Sequence, residues 1–505
     1  MNDSDFDVVI VGSGMGGLEC ALILAREGYS VCVLEKNHQL GGSLQVFSRD
    51  KTILDTGVHY IGGLEPGQNL HTYLNYMGIM DKVKIHQMDM DGFDRIELGS
   101  DPKQYHYAQG YPNFIRRMVE DFPNERAAIE TYCAKIQEVC DLFPLYRVRL
   151  DDKSQWLGEE LNLNAEQVIA SLTDNLTLRN VLAGTSALYA GDHFSPFYVH
   201  ALVINTYIES AWRCIDGGSQ FAKYLASNAR KEGAVIHNRS TVTHFDIGSN
   251  GVKAVHTAEG EVYTCKYCIA NVHPSLVLDM VGPGHLRPAY ASRIRSLEDT
   301  ISSFTLHLIM KPGEFPYMDY NIYSTDVDNV WSAVEKANDP WPSGYMFTTP
   351  LSSRAGGYAD AVTVMTYMRY SEWEKWGGSY NTIVSPDERG SDYEEFKQQK
   401  EVELLALIEK RFPGISNKVK SMHSSTPLSF RDYIGSPTGS MYGVHKNSND
   451  PMRTFLAPRT KVPNLLLTGQ NMNLHGLLGV TVSAIATCSE LVGKEYLVNK
   501  VLAAS

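Results

Sequence analysis

The segment VVIVGSGMGGLECALILAREGYSVCVLEKNHQLGG (Val8–Gly42) decides the fold. Its first residues form an apolar, β-branched run, which predicts a buried parallel strand. The run stops at Gly12, Gly14 and Gly17, which have the spacing G-x-G-x-x-G, and helical apolar spacing follows. A second strand pattern then ends at Glu35. Because strand, glycines, helix, strand and terminal acid occur in this order, the segment predicts a dinucleotide-binding unit.

Each part of this motif has a physical reason. The three glycines allow a tight turn, close approach of the backbone to a pyrophosphate, and close packing of helix on strand. The N-terminus of the helix offers N–H donors and the positive end of its dipole to the phosphates. The acid would accept hydrogen bonds from a ribose diol. The order of elements therefore favours a nucleotide cofactor over an ordinary glycine-rich turn.

The residues after the acid distinguish FAD from NAD. Glu35 is followed by Lys36 and, after four further residues, by a second glycine pair. This run, E-K-x-x-x-x-G-G, resembles the extended fingerprint of FAD enzymes of the glutathione-reductase-like superfamily. The resemblance implies that Gly41, Gly42 and the adjoining Ser43 pass beside the cofactor, with Lys36 in the same site. A plain NAD dehydrogenase would not need the second glycine pair.

Two later segments are expected to return to the same site. Residues 220–231 predict a helix, and a strand pattern follows. In the FAD superfamily this block completes the nucleotide domain, and the resemblance implies that Val242 would meet the adenine. Near the C-terminus, the strand Leu465–Leu467 leads into a glycine-bearing turn and a helix that begins near Gly479. In the superfamily this second motif reaches the ribityl chain, the pyrophosphate and the N1/O2 edge of the flavin. The resemblance thus implies four more cofactor-binding residues: Gly469, Gln470, Gly479 and Val480.

The predicted nucleotide-binding elements lie in three separate segments, and 505 residues exceed what one hydrophobic core usually supports. We expect residues 1–80, 215–285 and 425–505 to form an α/β, glutathione-reductase-like FAD-binding Rossmann domain. Residues 81–214, largely helical in pattern, and 286–424, with strand patterns, would form a discontinuous α+β substrate domain. Its antiparallel sheet would cover the flavin and enclose the substrate.

Composition and charge narrow the function classes. The formal net charge is −13, which argues against a nucleic-acid partner because phosphate binding needs clustered Lys and Arg. The first residues lack the basic and apolar regions of a signal peptide, and no apolar run has the length of a membrane span. We therefore expect a cytoplasmic protein, with peripheral membrane contact left open. Cys265 and Cys268 form a lone C-x-x-C pair on a predicted strand, where they would point to opposite faces, so no metal site is expected.

Three longer stretches carry a family resemblance: DTGVHYIGG (Asp55–Gly63), PLSFRDYIGSPTGSMYGV (Pro427–Val444) and TGQNMNLHGLLGV (Thr468–Val480). With them the chain resembles, over nearly its full length, the retinol saturase, carotenoid isomerase and phytoene desaturase group of flavoproteins, and especially its branch similar to all-trans-retinol 13,14-reductase. The resemblance implies an FAD-dependent oxidoreductase that acts on a C=C or CH–CH bond of a hydrophobic, retinoid- or carotenoid-like substrate. It favours a saturase-type reductase, while a desaturase or cis–trans isomerase would use the same pocket.

Two other classes share the fold. An amine oxidase would need an aromatic cage and a flavin-facing lysine, and the sequence places neither. A non-catalytic prenyl-lipid binder, such as a Rab GDP-dissociation inhibitor, would have lost the flavin. The intact glycines and Glu35 argue against such a loss. The sequence shows one Rossmann fingerprint and no second one for a nicotinamide. NAD(P)H as a transient donor and a carrier protein therefore both stay open as electron sources.

Three side chains are candidates for catalytic roles. His59 and Tyr60 follow a glycine in a segment that the fold would bring near the isoalloxazine, where either could donate a proton or orient the substrate. His59 could equally shape a turn. His475 lies between the last predicted strand and helix, where it would either face the flavin or be an ordinary loop histidine. Arg431 and Tyr433 could meet a substrate headgroup, although an ion pair with a neighbouring acid explains the arginine equally well.

Overall fold

The computed structural model describes residues 4–99, 101, 103–150, 157–339, 341–354 and 356–504. The strands in these ranges are β1 (Asp5–Val11), β2 (Val31–Glu35), β3 (Val46–Arg49), β4 (Thr52–Asp55), β5 (Ile61–Gly62), β6 (Ile85–Gln87), β7 (Asp94–Leu98), β8 (Tyr105–Tyr107), β9 (Ala211–Cys214), β10 (Val235–Asn238), β11 (Val242–Gly248), β12 (Gly251–Thr257), β13 (Val262–Ala270), β14 (Ser302–Met310), β15 (Asn321–Thr325), β16 (Gly344–Thr348), β17 (Ala361–Met368), β18 (Val419–Ser425) and β19 (Leu465–Leu467).

The helices of the same ranges vary from single turns to six turns. They are α1 (Met15–Arg26), α2 (Asn69–Met77), α3 (Tyr111–Asp121), α4 (Arg126–Asp141), α5 (Leu157–Glu160), α6 (Ala165–Ala170), α7 (Leu176–Leu182), α8 (Phe197–Glu209), α9 (Ser219–Lys231), α10 (Pro274–Val281), α11 (Pro288–Arg295), α12 (Ser391–Arg411), α13 (Ile415–Lys418), α14 (Pro427–Ile434), α15 (Pro451–Thr454), α16 (Gly476–Val492) and α17 (Lys494–Ala503).

The first sheet has the strand order β10-β2-β1-β13-β12-β11, with β19 paired to β13. Strands β10, β2, β1, β13 and β19 run parallel, and β11 and β12 are antiparallel additions. All five residues of β2 are buried, as expected for a parallel strand covered on both faces. Helix α1 packs against α9 and α16. The carboxyl ends of strands from three distant parts of the chain therefore meet at one edge, and the expected fold class is confirmed.

The second sheet has the order β18-β14-β17-β16-β15-β7-β8. Its pairings are antiparallel except for β7 and β15, which run parallel. Within residues 286–424, strands β14 to β17 pair antiparallel, as expected for that segment. The one parallel pairing joins β15 to β7 of the segment 81–214, which is therefore not only helical, because β7 and β8 extend the sheet. Their sequences, DRIEL and YHY, lack a long apolar alternation, so their strand character depends on the neighbouring β15.

Boundaries predicted from the sequence agree with the structure in part. Strand β19 has the predicted bounds, and α9 begins one residue before the predicted helix. Helix α16 begins at Gly476 rather than near Gly479, with His475 as its N-cap residue. Glycine has the lowest helix propensity apart from proline, which is why the pattern alone delays the predicted start.

Two observations concern only the described ranges. None of their helices is both long and apolar enough to cross a membrane. No group of three or more His, Cys, Asp or Glu side chains lies close enough to hold a metal ion in these ranges. On β13, Cys268 is buried and Cys265 is half-buried, and neither forms a disulfide.

Candidate functional site

A cavity of about 1940 Å³, including space continuous with solvent, follows the carboxyl edge of the first sheet. We refer to it as the cofactor cavity. All but two of the predicted cofactor residues line it. They are Gly12, Gly14, Glu35, Lys36, Gly41, Gly42, Ser43, Val242, Gly469, Gln470 and Val480.

The two remaining glycines serve helix packing beside this cavity. A Cβ on Gly17 would lie 2.1 Å from the carbonyl oxygen of Gly12, and a Cβ on Gly479 would lie 2.6 Å from the Cβ of Leu474. Gly12 itself has a φ of 93°, which a side chain rarely adopts. Gly17 therefore lets α1 approach the turn after β1, which is the role expected for the third glycine of the motif.

Two helix N-termini open onto the cofactor cavity. Helix α1 starts after Gly14 and α16 after His475, and neither start has a side-chain cap. Gly14, Met15 and Gly476 line the cavity at these starts. Uncapped N-termini leave backbone N–H groups and positive dipole ends for an anionic ligand. The cavity thus fits a dinucleotide with one charged centre at each helix start, as FAD has in its pyrophosphate and its reduced flavin.

Glu35 is held at the cavity wall by donors from its own neighbourhood. Its Oε2 accepts hydrogen bonds from the Ser13 backbone N–H at 2.9 Å and from the Ser13 hydroxyl at 2.6 Å. Its Oε1 accepts a bond from the Asn37 N–H at 2.8 Å. Each carboxylate oxygen has two acceptor positions, so capacity is left for ribose hydroxyls. Lys36 also lines the wall, but its Nζ donates to the carbonyl of Asp432 at 2.7 Å, so it ties the loop to α14.

Asn271, which the sequence analysis does not single out, connects the two glycine motifs. Its Nδ2 donates to the Gly12 carbonyl at 3.3 Å. A Cβ on Gly469 would lie 2.3 Å from its Oδ1, and one on Gly14 would lie 2.9 Å from its Nδ2. Asn271 directly follows β13, whose parallel pairing with β1 brings both carboxyl ends to the same edge. That topology is the signal by which this residue could have been found.

A second cavity of about 900 Å³ adjoins the first, and we call it the substrate chamber. Its described lining residues include many aromatic and aliphatic side chains but no Lys, Arg, Asp or Glu. Its histidines are His59 and His475. It is joined to the cofactor cavity through residues that line both: Gly57, Val58, His59, Met365, Tyr442, Gly476 and Leu477.

His59 lies at the junction of the two cavities. Burial, with a smaller contribution from the positive charge of Arg213, lowers the pKa of its imidazole to about 4. The ring is therefore neutral near pH 7. A neutral imidazole can donate one hydrogen bond and accept another, but it carries no extra proton to transfer.

Tyr60 belongs to a buried hydrogen-bonded network on the chamber wall. Its hydroxyl lies 2.8 Å from Oδ2 of Asp94 and 2.7 Å from the hydroxyl of Tyr323. The other Asp94 oxygen, Oδ1, accepts a bond from Asn321 Nδ2 at 2.8 Å. Asn321 Oδ1 in turn accepts one from the guanidinium of Arg213 at 2.7 Å. Tyr60 and Tyr323 line the chamber, whereas the carboxyl lies behind them.

Burial raises the pKa values of three members of this network, Tyr60, Asp94 and Tyr323. Burial raises the pKa of Asp94 to about 7, and the hydrogen bonds from Asn321 and Tyr60 oppose that rise. Burial also raises the pKa of Tyr60 well above its usual value. Near neutral pH, Asp94 therefore exchanges its proton while the Tyr60 phenol stays protonated. Asp94 can therefore hold an exchangeable proton, and its hydrogen bond with Tyr60 connects that proton to the chamber.

His475 lies on the substrate chamber and does not line the cofactor cavity. Its Nε2 donates to the carbonyl of Leu188 at 2.9 Å, and its ring lies 4.4 Å from that of Tyr442. Burial lowers the pKa of this imidazole to about 4. The ring is thus a neutral, oriented part of the wall. Arg431, by contrast, does not line either cavity, and its Nε donates to Asp432 Oδ1 at 2.7 Å.

Comparisons with known proteins agree with this geometry. The family model described as flavin containing amine oxidoreductase matches residues 15–340. All-trans-retinol 13,14-reductase of Macaca fascicularis is 26% identical over 539 aligned positions, covering 97% of this chain and 86% of that protein. Chloroplastic prolycopene isomerase of Arabidopsis thaliana is 22% identical, covering 87% and 74%. The structure of wild-type putrescine oxidase bound to putrescine superposes with a TM-score of 0.62 at 14% identity, covering 97% and 99%.

Proposed function

The chain belongs to the flavin containing amine oxidoreductase family, and from this premise we propose that it is an FAD-dependent reductase of a C=C bond in a hydrophobic, polyene-like substrate. The observation that carries the proposal is the substrate chamber, which adjoins the cofactor cavity and whose described lining residues include no ionised side chain. An uncharged, apolar substrate loses little hydration there, whereas an ammonium or carboxylate group would be buried without a partner.

The relatives support the same substrate class. The sequence relatives are named for retinol reduction and prolycopene isomerisation, and both names describe conjugated, apolar molecules. The structural neighbour holds a diamine, which would need an acid that the described chamber lining lacks. The arrangement therefore favours a polyene over an amine for this chain.

When bound, FAD supplies the electron pair that is exchanged with the carbon–carbon bond. The protein must then supply a proton to the neighbouring carbon and exclude water. Tyr60 or Tyr323 donates that proton from its phenolic oxygen at the chamber wall. Asp94, protonated below about pH 7, returns a proton to the phenol through the 2.8 Å contact with Tyr60. The apolar wall keeps the step dry.

A desaturase or cis–trans isomerase would use the same chamber. The wall of tyrosines backed by a neutral carboxyl favours reduction, because reduction requires net delivery of a proton to the substrate. We further propose NAD(P)H or a carrier protein as the source of electrons. The domain division at residues 80, 214, 285 and 424 belongs to the same proposal, as does a cytoplasmic location with peripheral membrane contact, since polyenes partition into bilayers.

The test uses the flavin as its own reporter. The purified holoprotein is reduced without oxygen and mixed with all-trans-retinol or a short carotenoid while its visible spectrum is recorded. We expect reoxidation of the flavin together with loss of the polyene absorbance. Reduced flavin that persists with every polyene tried contradicts the reductase proposal, and product formation by the oxidised enzyme would then identify a desaturase or isomerase. A protein that contains no flavin and does not rebind FAD would contradict any flavin-dependent activity.

A further inference from the structure

A third cavity of about 480 Å³, including space continuous with solvent, adjoins the substrate chamber. We call it the distal chamber. It shares with the substrate chamber the lining residues Ala187, Tyr323, Met346 and Met365. Met365 lines all three cavities. A long substrate that enters the substrate chamber therefore has a continuation beyond Tyr323, between β15, β16 and β17.

The wall of the distal chamber includes a buried tyrosine hydroxyl without a partner among the described residues. Tyr367 lines the chamber and is only 8% exposed, and its phenolic oxygen forms no hydrogen bond with any residue that the structure describes. Two other hydroxyls of the wall are already in use. Ser343 Oγ donates to the carbonyl of Ala333 at 2.9 Å, and Thr366 Oγ1 donates to the carbonyl of Gly344 at 2.6 Å. A buried, unpaired hydroxyl is costly, and an oxygen of a ligand would satisfy it.

The charge of the wall limits what that oxygen can be. The described residues that line the distal chamber include no Lys, Arg, His, Asp or Glu. A carboxylate or phosphate in the chamber would lose its hydration without gaining a cation. A hydroxyl or carbonyl oxygen is small and uncharged, and it can accept the hydrogen bond that the Tyr367 phenol offers. Burial keeps this phenol protonated, because it raises the pKa of Tyr367 well above its usual value.

We propose that the distal chamber binds the oxygen-bearing end of the substrate, and that the Tyr367 hydroxyl recognises an uncharged hydroxyl or carbonyl oxygen there. This inference rests on the proposed function, because it assigns one end of the same apolar substrate. The hydrogen bond from Tyr367 would make the protein bind oxygenated polyenes more tightly than pure hydrocarbons. The reacting carbon–carbon bond would lie in the substrate chamber.

The experiment compares binding of two probes to the oxidised holoenzyme. The probes are all-trans-retinol and the hydrocarbon in which a methyl group replaces its CH2OH end, and binding is followed by quenching of protein fluorescence. For the unchanged protein we expect the alcohol to bind about 10-fold more tightly, the effect of one net hydrogen bond to a buried donor. In Tyr367→Phe the alcohol should weaken to the level of the hydrocarbon, whose affinity stays the same.

Tyr76→Phe is the matched control. Tyr76 is also 8% exposed, its hydroxyl is also unpaired, and it does not line the three cavities. This variant should keep the 10-fold preference. Equal affinity of the unchanged protein for both probes overturns the inference, and so does a Tyr367→Phe variant that weakens both probes alike. If the protein reduces retinol but binds both probes equally, this inference is wrong and the proposed reductase function stands. If the protein binds the alcohol more tightly but transfers no electrons to it, only the proposed reductase function is wrong.

Discussion

Two motifs, each a strand, a glycine turn and an uncapped helix start, contribute to the wall of the cofactor cavity, whereas the adjoining substrate chamber is lined mainly by aromatic and aliphatic residues. The chamber tyrosines Tyr60, Tyr323 and Tyr442 come from distant parts of the chain. We therefore expect backbone geometry to control cofactor binding and side-chain chemistry to control the reaction beside it.

The two regions should respond differently to substitution. A change in the glycine motif alters the path of the backbone, so its effect on cofactor binding should be close to complete. A change on the chamber wall removes one function of one side chain, so the flavin should stay bound while the rate falls. The predictions below test this difference.

The largest effect is expected for Gly17→Ala. The added Cβ would lie 2.1 Å from the Gly12 carbonyl oxygen, which is backbone and cannot move without reshaping the turn that faces the phosphates. We expect a protein that purifies without flavin, measured as absent absorbance near 450 nm. Gly378→Ala is the control, because no atom lies within 4 Å of the added Cβ and the φ there is not positive. A Gly17→Ala protein with a full complement of FAD would contradict the role of this packing contact.

A smaller effect, on rate alone, is expected at the chamber wall. Tyr60→Phe removes the phenol that links Asp94 to the chamber, and loss of a positioned proton donor costs about 10²- to 10⁴-fold in rate. The measurement is the rate of polyene reduction by the reduced enzyme in stopped flow. Flavin content and reoxidation by O₂ should be unchanged, since neither needs the proton path. A variant that reduces the polyene at the original rate would exclude Tyr60 from the step.

The pH profile tests the same network through Asp94. Its pKa is raised to about 7 by burial, and the proposed step needs the protonated form. The rate of the unchanged enzyme should therefore fall as pH rises through about 7. Asp94→Asn cannot supply a proton, so its rate should be low and nearly independent of pH in this range. An identical pH profile in both proteins would assign the titration to another group.

The contrast between the two regions also explains what the sequence could predict. The two glycine motifs that line the cofactor cavity could be predicted from the sequence because each motif is contiguous and its glycines have fixed spacing. Asn271 was missed because it joins the site only through the parallel pairing of β13 with β1. The partners of Tyr60 were missed for the same physical reason. Asp94 and Tyr323 reach it from β7 and β15, and the parallel pairing of those strands has no local sequence signal.

The smallest effect is expected for a buried carboxyl on the cofactor side of the molecule. Glu19 lies on α1 and accepts a hydrogen bond from the Thr481 hydroxyl at 2.7 Å, while its second oxygen has no hydrogen-bond partner in the part of the chain that the structure describes. Burial raises its pKa from 4.5 to about 8. Unlike Asp94, it does not line or back the substrate chamber, so the shift should affect stability and leave the reduction rate unchanged.

The sign of this effect follows from proton binding. Between about pH 4.5 and 8 the unfolded chain releases a proton that the folded protein keeps, so the free energy of unfolding falls as pH rises. Glu19→Gln removes this loss, because the amide stays neutral. We expect equal stability of the two proteins near pH 4.5. Above about pH 8 the variant should be more stable by several kcal/mol, since one pKa unit corresponds to about 1.4 kcal/mol. The measurement is denaturant unfolding of the holoprotein. A difference in the free energy of unfolding that does not change with pH would show that Glu19 is ionised in the folded protein. A lower reduction rate in Glu19→Gln would show that residues outside the chamber wall also take part in the reaction.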